Sequence, residues 1–346
     1  MKKTIALLLA LTALLSLSAC SGRENASESG TSADSLHAVT SPDAAADDTV
    51  IRVAVLNGTT GFGIAPLYAD IASGKTEKIA EIEFYTDASL IPPMIVSGSA
   101  DIAAVPTNLA SVLYNKTEGK IVVLAVNTLG VLYLLENGTT VSSLSDLAGK
   151  TVYVPGAGSN PEYVLRALLT KAGLADKVTI DAATYGTPDA LTTAAASGLA
   201  PLALLPEPKV TAAMMQNSSL RVALDFSAEW KTLTGTELVQ GCLITRYDFV
   251  CEHPNRVYEF LEEYQKSVGS VNADPAAAAG QIVAAGLAPK AALVENALPR
   301  CNITYLTGDA MKTALNEFWG ALFAVIPSSV GGKLPDEKIF LPVLYG

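Results

Sequence analysis

Histidine is almost absent: His37 and His253 are the only two in 346 residues. Acyl transfer by a Ser–His or Cys–His pair needs an imidazole as general base, and neither position suits that task. His37 lies in a stretch too polar to fold, and His253 directly precedes Pro254, a helix-start position that suits capping or solvent contact. Cysteine is nearly as scarce. Cys20, Cys242, Cys251 and Cys301 form no C-x-x-C pair, and neither His has a spacing to Cys that would ligate zinc, so no metal centre is expected. Cys242, Cys251 and Cys301 stay open between one disulfide outside the cytoplasm and buried small apolar residues. Charged residues make up only 16% of the chain, the net charge is −11, and no basic stripe is present. Nucleic acid is therefore an unsuitable partner. After residue 20 no apolar run reaches transmembrane length.

What the chain does contain begins with a targeting pattern. Met1-Lys2-Lys3 is a charged start, Ile5 to Leu17 is an apolar run too short to span a bilayer comfortably, and Leu17-Ser18-Ala19-Cys20 closes it. Residues 1–20 read as a signal peptide with a lipobox whose Cys20 becomes the lipidated N-terminus. Residues 21–48 hold one Arg and six Asp or Glu, with few large apolar side chains. Such a segment cannot bury enough surface to fold, so it reads as a disordered tether.

From Val50 onward, short apolar runs alternate with helical patterns. Strands are expected at Ile51–Val55, Glu81–Tyr85, Ile121–Thr128, Thr151–Val154, Val178–Asp181, Arg221–Leu224 and Gly241–Arg246. The alternation implies parallel α/β sheets. Asn57 to Gly63 is expected as a loop, and helices dominate after Asp248.

Two echoes suggest that the plan is used twice. Ser97 to Pro106 and Ser197 to Pro206 both match S-G-x-A-x-x-A-x-x-P. Each implies a helix stopped at Gly, a short buried strand, and a helix begun at Pro. Gly61 to Pro66 and Gly156 to Pro161 both read G-x-G-x-x-P. A dinucleotide fingerprint is disfavoured, because Pro stands where the third Gly would permit close helix–sheet packing. No cofactor is expected. Turns of this kind place backbone N–H groups at the C-terminal ends of strands, where open α/β sheets bind ligands.

The strand-end loops 57–63, 105–108, 127–128, 155–160 and 185–187 carry no charge, and only Glu207 adds one. That suits hydrogen bonding and aromatic contact better than acid–base chemistry, so no catalytic residue is named. The candidate ligand contacts are Asn57, Thr60, Phe62, Thr107, Asn108, Asn127, Gly158, Ser159, Asn160, Tyr185 and Glu207. Several have a plainer alternative: Phe62 as a core plug, Asn108 and Asn160 as helix caps, Glu207 as a complement to its helix dipole.

The lipobox at Cys20, Gly98-x-x-Asp101-Ile102-Ala103 ahead of Pro106-Thr107-Asn108, Leu204-Leu205-Pro206-Glu207-Pro208, and Val330-Gly331-Gly332-Lys333-Leu334-Pro335-Asp336 together carry a resemblance. From about Val50 to Tyr345 the chain resembles the extracytoplasmic solute-binding proteins of ABC importers, of the sulfonate/nitrate/taurine and thiamine-precursor type. The resemblance implies a periplasmic-binding-protein-like fold: two doubly wound α/β lobes joined by two crossings, with C-terminal helices packing on lobe one. Lobe one would comprise 49–128 and 244–346, and lobe two 129–243, with crossings near 127–132 and 240–245. It implies a monomer that holds a small solute in the interlobe cleft, is anchored to the membrane through Cys20, and serves permease and ATPase subunits. Nitrate is disfavoured, since the predicted loops offer no basic or Trp side chain and Trp230 and Trp319 fall in helical stretches. An enzyme on the same fold, a lyase or a thiamine-pyrimidine synthase, and an extracytoplasmic ligand sensor are the alternatives.

Overall fold

The computed structural model describes residues 47–340. Cys20 and the tether up to residue 46 lie outside the described residues, as does the end of the chain from residue 341. The first half of the fold runs β1 (Ile51–Leu56), α1 (Thr59–Phe62), α2 (Ala65–Ala72), β2 (Ala80–Tyr85), α3 (Ile91–Ser97), β3 (Ile102–Pro106), α4 (Thr107–Lys116) and β4 (Ile121–Leu129). Next come β5 (Leu132–Glu136), β6 (Thr151–Tyr153), α5 (Asn160–Lys171), β7 (Thr179–Asp181), α6 (Pro188–Ala196), β8 (Leu202–Pro206), α7 (Lys209–Gln216), β9 (Arg221–Asp225) and α8 (Phe226–Thr234). The chain closes with β10 (Val239–Arg246), α9 (Tyr247–Glu252), α10 (Pro254–Ala273), α11 (Pro275–Ala284), α12 (Ala291–Cys301), β11 (Ile303–Leu306) and α13 (Gly308–Val325).

The strands form two sheets, in the orders β11-β4-β10-β3-β1-β2 and β7-β6-β8-β5-β9. This is the two-lobed α/β architecture that the echoes implied. The sheets are mixed rather than parallel throughout. β1, β2 and β3 run parallel, as do β6, β7 and β8, but β10 is antiparallel to β3 and β4, and β5 is antiparallel to β8 and β9. The reason is connectivity. β5 and β10 are the strands by which the chain enters one sheet from the other, and it arrives at the end where the parallel strands finish. Alternation of strand and helix does not reveal such a strand, and the short runs of β5 and β11 have no period of their own to mark them.

The repeated S-G-x-A motif behaves alike in both sheets. α3 stops at Gly98 and α6 just before Gly198, each with φ 76, a left-handed geometry that Gly adopts without a Cβ penalty. The strands then extend through Pro106 and Pro206, so the following helices begin at Thr107 and Lys209 instead of at Pro. The G-x-G-x-x-P echo is a likeness of letters only. A Cβ on Gly61 would stand 2.9 Å from the Leu56 carbonyl oxygen and one on Gly63 2.9 Å from the Tyr264 hydroxyl, whereas Gly156 and Gly158 have positive φ. The first pair permits close approach and the second permits a turn. The expected loop around Gly61 is therefore the short helix α1.

Only Gly130 and Val131 separate β4 from β5, and Gly235 to Leu238 separate α8 from β10. Val239 already pairs with Leu129 in the six-stranded sheet. The two crossings touch: a Cβ on Gly130 would lie 2.4 Å from Ser227 Oγ and 2.7 Å from Leu238 Cδ2. α10 and α11 pack behind β1 and β3 around Phe260, Tyr264 and Ile282. α13 does more than cover lobe one. Its Trp319 donates through Nε1 to the Thr107 carbonyl (2.9 Å), while Phe318 lies 5.8 Å from the Trp230 ring of α8 and Glu317 pairs with Lys171 of α5 (2.7 Å). One apolar core thus runs from β3 and β4 through α13 to α5 and β8. All three described cysteines are free thiols, with Cys242 and Cys301 buried and Cys251 exposed on α9. The disulfide alternative is therefore set aside, and burial holds for two of the three.

Asp101, inside the repeated motif, ties β3 to β1. Its Oδ2 accepts from Arg52 N (2.9 Å) and Nε (2.8 Å), and its Oδ1 from Arg52 Nη2 (2.6 Å). Burial alone would raise its pKa, but the Arg52 hydrogen bonds prevail and hold the carboxyl below its ordinary range. A depressed carboxyl pKa contributes stability above the unfolded value of about 3.9, lost as pH falls through the lower folded value. Asp101→Asn should therefore flatten the acid limb of the stability–pH curve below about pH 4, measured by urea unfolding. At neutral pH it should cost about 2 kcal/mol, less than a fully buried pair, because Arg52 is half exposed. Gly130→Ala should lower the melting temperature by several degrees through the crowding at the crossings.

Candidate functional site

The C-terminal ends of the parallel strands in both sheets turn toward the two crossings, and most candidate contacts sit there. Asn57 follows β1, Thr60 and Phe62 belong to α1, Thr107 and Asn108 open α4, and Asn127 is near the end of β4. From the other sheet, Gly158, Ser159 and Asn160 lead into α5 and Glu207 directly follows β8. The structure brings these residues to one region but gives them different duties.

Several hold the walls. Asn127 is buried and donates through Nδ2 to the Thr60 carbonyl (3.0 Å), and its Oδ1 accepts from Thr128 Oγ1 (3.2 Å). A Cβ on Gly241 would come 2.6 Å from that Oδ1, so β10 must be bare at this point. Thr107 is fully buried and donates to the Val239 carbonyl (3.1 Å), fastening α4 to the second crossing. Asn108 donates to the Ser329 carbonyl (3.3 Å). Phe62 is fully buried in the core with α10, a plug rather than a wall. Ser159 caps α5 by accepting from Glu162 N, and Gly158 N donates to Glu162 Oε2 (2.7 Å). Tyr185 is turned away: its ring packs on Tyr153 (5.5 Å) and its hydroxyl reaches the Leu199 carbonyl beyond the far end of α6.

Glu207 is occupied by an ion pair between the two sheets. Its side chain is fully buried, Oε1 accepts from Arg300 Nε (2.6 Å) and Thr211 Oγ1 (2.9 Å), and Oε2 accepts from Thr211 N (3.1 Å). Arg300 Nη2 also donates to Thr211 Oγ1 (2.7 Å). Around this pair, Tyr133 donates to the Arg300 carbonyl (2.9 Å), and Asn302 Nδ2 donates to the Gly130 carbonyl (2.5 Å). Burial, and then the charge of Asp225, push the Tyr133 hydroxyl well up, so it remains a neutral donor. Reading the sequence could not find Arg300, which lies 93 positions from its partner in a helix that merely looks amphipathic.

Besides Asn115 of α4 and Tyr264 of α10, three of the described residues have buried side-chain atoms with no hydrogen-bond partner. They are Asn57 through Oδ1, Asn160 through both Oδ1 and Nδ2, and Gln240 through Oε1. Asn57 and Gln240 border the six-stranded sheet and Asn160 the five-stranded one. Gln240 was missed by sequence reading; a lone amide at the entry of an apolar strand, Val239-Gln240-Gly241, is the signal it offered. Among the described residues no group of three or more His, Cys, Asp or Glu side chains could hold a metal ion, and no helix is long and apolar enough to cross a membrane.

The Arg300–Glu207 pair gives a direct test. Arg300→Ala leaves a buried carboxylate unpaired and should cost about 3 kcal/mol in urea unfolding. The double variant Arg300→Met with Glu207→Met should recover much of that loss, because both charges leave together.

The family described as NMT1/THI5 like matches residues 78–278. A search of curated proteins gives no match. Among solved structures, one described as an ABC transporter from Parabacteroides distasonis is 25% identical with a TM-score of 0.71, over 85% of this chain and 99% of its own. The periplasmic aliphatic sulphonate binding protein SsuA from Escherichia coli is 15% identical with a TM-score of 0.68, over 86% and 92%. The alkanesulfonate-binding protein SsuA from Xanthomonas axonopodis pv. citri, bound to MOPS, is 16% identical with a TM-score of 0.60, over 87% and 99%. At their identities the last two establish the shared fold.

Proposed function

Because this chain belongs to the NMT1/THI5-like family, whose match spans more than half of its length, we propose that it is a binding protein and not a catalyst. In this reading it is an extracytoplasmic lipoprotein, anchored through Cys20, that captures a small organic solute between its lobes. It then presents that solute, as a monomer, to an ABC permease and its ATPase. The observation that carries the proposal is that three of the buried side chains with unpaired polar atoms stand at strand ends beside the crossings, Asn57 and Gln240 at one sheet and Asn160 at the other. A buried polar atom left unpaired costs about 1–3 kcal/mol. A bound solute that supplies the missing partners from both sides returns that cost.

The likeness to binding proteins of importers supports the same reading. So does the near absence of charge in the strand-end loops, which favours a solute recognised by hydrogen bonds. Asn57, Asn160 and Gln240 make the contacts. Thr60, Thr107, Asn108 and Asn127 set the walls behind them, and Gly158 and Ser159 shape the approach to α5. Phe62, Tyr185 and Glu207 serve structural roles here. We place lobe one at residues 49–129 and 239–340 and lobe two at 132–234, with the crossings between them. Solute bridging the lobes would favour the closed arrangement by population shift.

Thermal-shift screening of the full chain against sulfonates, pyrimidines, flavins and amino-acid-like compounds tests the reading. A cognate solute at about 100 times its Kd should stabilise by about 2.7 kcal/mol. Asn57→Ala, Asn160→Ala and Gln240→Ala should each weaken that solute about tenfold or more with little change in the unliganded melting temperature. Unaltered binding in all three would sink the site; turnover of a candidate without stabilisation would sink the function.

A further inference from the structure

The five-stranded sheet carries a concavity of about 350 Å³ at the end away from the crossings. Its walls are the close of β5 at Glu136, the loop that follows, and the openings of β6 at Thr151 and of β8 at Leu202. A volume near 350 Å³ falls within the range of small-molecule sites, about 300–1,000 Å³. Because β5 is antiparallel to β8, its last residue lies beside the first residues of the parallel strands. The concavity is therefore set apart from the region of Asn57, Asn160 and Gln240.

Its lining chemistry is one-sided. The Lys150 ammonium, the Thr151 and Tyr153 hydroxyls and the Asn137 amide line it, and none has a hydrogen-bond or ion-pair partner for its side-chain head among the described residues. All four can donate, and one carries positive charge. Glu136, the one acid in the lining, is already spent. It is buried, accepts from Thr140 N (2.8 Å), Thr140 Oγ1 (2.6 Å) and Val141 N (3.3 Å), and pairs with Arg221. The Arg221 guanidinium also donates to the Gly138 carbonyl (2.8 Å) and the Val141 carbonyl (2.6 Å). The loop that forms one wall is thereby held in place without any ligand. Asp146, whose charge acts on Lys150, already accepts from the backbone N–H groups of Ser142 (2.8 Å) and Ser143 (2.9 Å). The apolar part of the wall is Leu202 and the face of Tyr153, backed at 5.5 Å by Tyr185.

We infer that this concavity is a second binding site, for a small organic anion: a carboxylate or a phosphate monoester carried on a flat apolar body. The oxyanion is met by Lys150, Thr151 and Asn137, and the body lies against Tyr153 and Leu202. The ring pair also gives Tyr185 a purpose that the interlobe region does not.

Nitrogen-15-labelled full chain, titrated with benzoate, phenyl phosphate and the uncharged benzamide, tests this. Benzoate or phenyl phosphate should move the backbone amide signals of Asn137, Thr151 and Leu202 to saturation, while those of Asn57 and Asn160 stay still. The tighter of the two identifies the anionic group. Lys150→Met, at a half-exposed position, and independently Thr151→Val should each weaken the effect about tenfold. Four results would overturn the inference: no shifts up to about 10 mM anion, equal shifts with benzamide, undiminished shifts in both variants, or shifts confined to Asn57 and Asn160.

Discussion

Glu207 cannot stay buried without Arg300. A carboxylate taken wholly out of water loses several kcal/mol of hydration, and only a close, well-satisfied cation returns it. Arg300 does so at 2.6 Å, with Thr211 taking up remaining hydrogen-bonding capacity on both partners. The pair joins the end of β8 to the end of α12, and so the five-stranded sheet to the helices that pack on the six-stranded one. The neighbouring bonds of Tyr133 and Asn302 fall on the same corner, beside the two-residue crossing at Gly130 and Val131. Ions that cannot part without exposing a buried charge are suited to a pivot, about which other contacts change.

The remaining link between the sheets is of another kind. α13 lends apolar surface to both, with Phe318 and Trp319 at its centre. Dispersion and burial are not directional, so such a seam can slide where an ion pair of fixed geometry cannot. Its one described ion pair to lobe two, Lys171 with Glu317, is about one third exposed at each partner, and a bridge of that sort contributes little. A fixed corner and a slippery seam are what a hinge of the proposed kind requires.

Much of this molecule was legible in its residues. The paired S-G-x-A motifs gave the two-sheet plan, because left-handed glycine is a local demand that any context must respect, whereas their prolines end the strands and do not open the helices. Composition gave only an expectation about chemistry, since two histidines and uncharged strand-end loops leave little for acid–base work. Most candidate contacts gather at the strand ends beside the crossings, but their hydrogen-bond partners were not legible. Asn127, Thr107 and Glu207 looked equally free, and each turned out to be spoken for by a residue between 67 and 132 positions away. β5 and β11 passed unnoticed, because a strand's partner lies elsewhere in the chain and a short apolar run has no period of its own.

The division follows from the range of the forces. Sequence alone determined what depends on neighbours along the chain: helix stops, turn glycines, the alternation of strand with helix, and the shortage of ionisable groups. Tertiary structure decided what depends on neighbours in space. It set the direction of β5 and β10, the burial of Glu207 against Arg300, and the hydroxyl of Tyr185 turned outward. It also decided which amides were left with no partner. Hydrogen bonds and ion pairs act over a few ångströms, and the chain must fold before it is known which residues come that close.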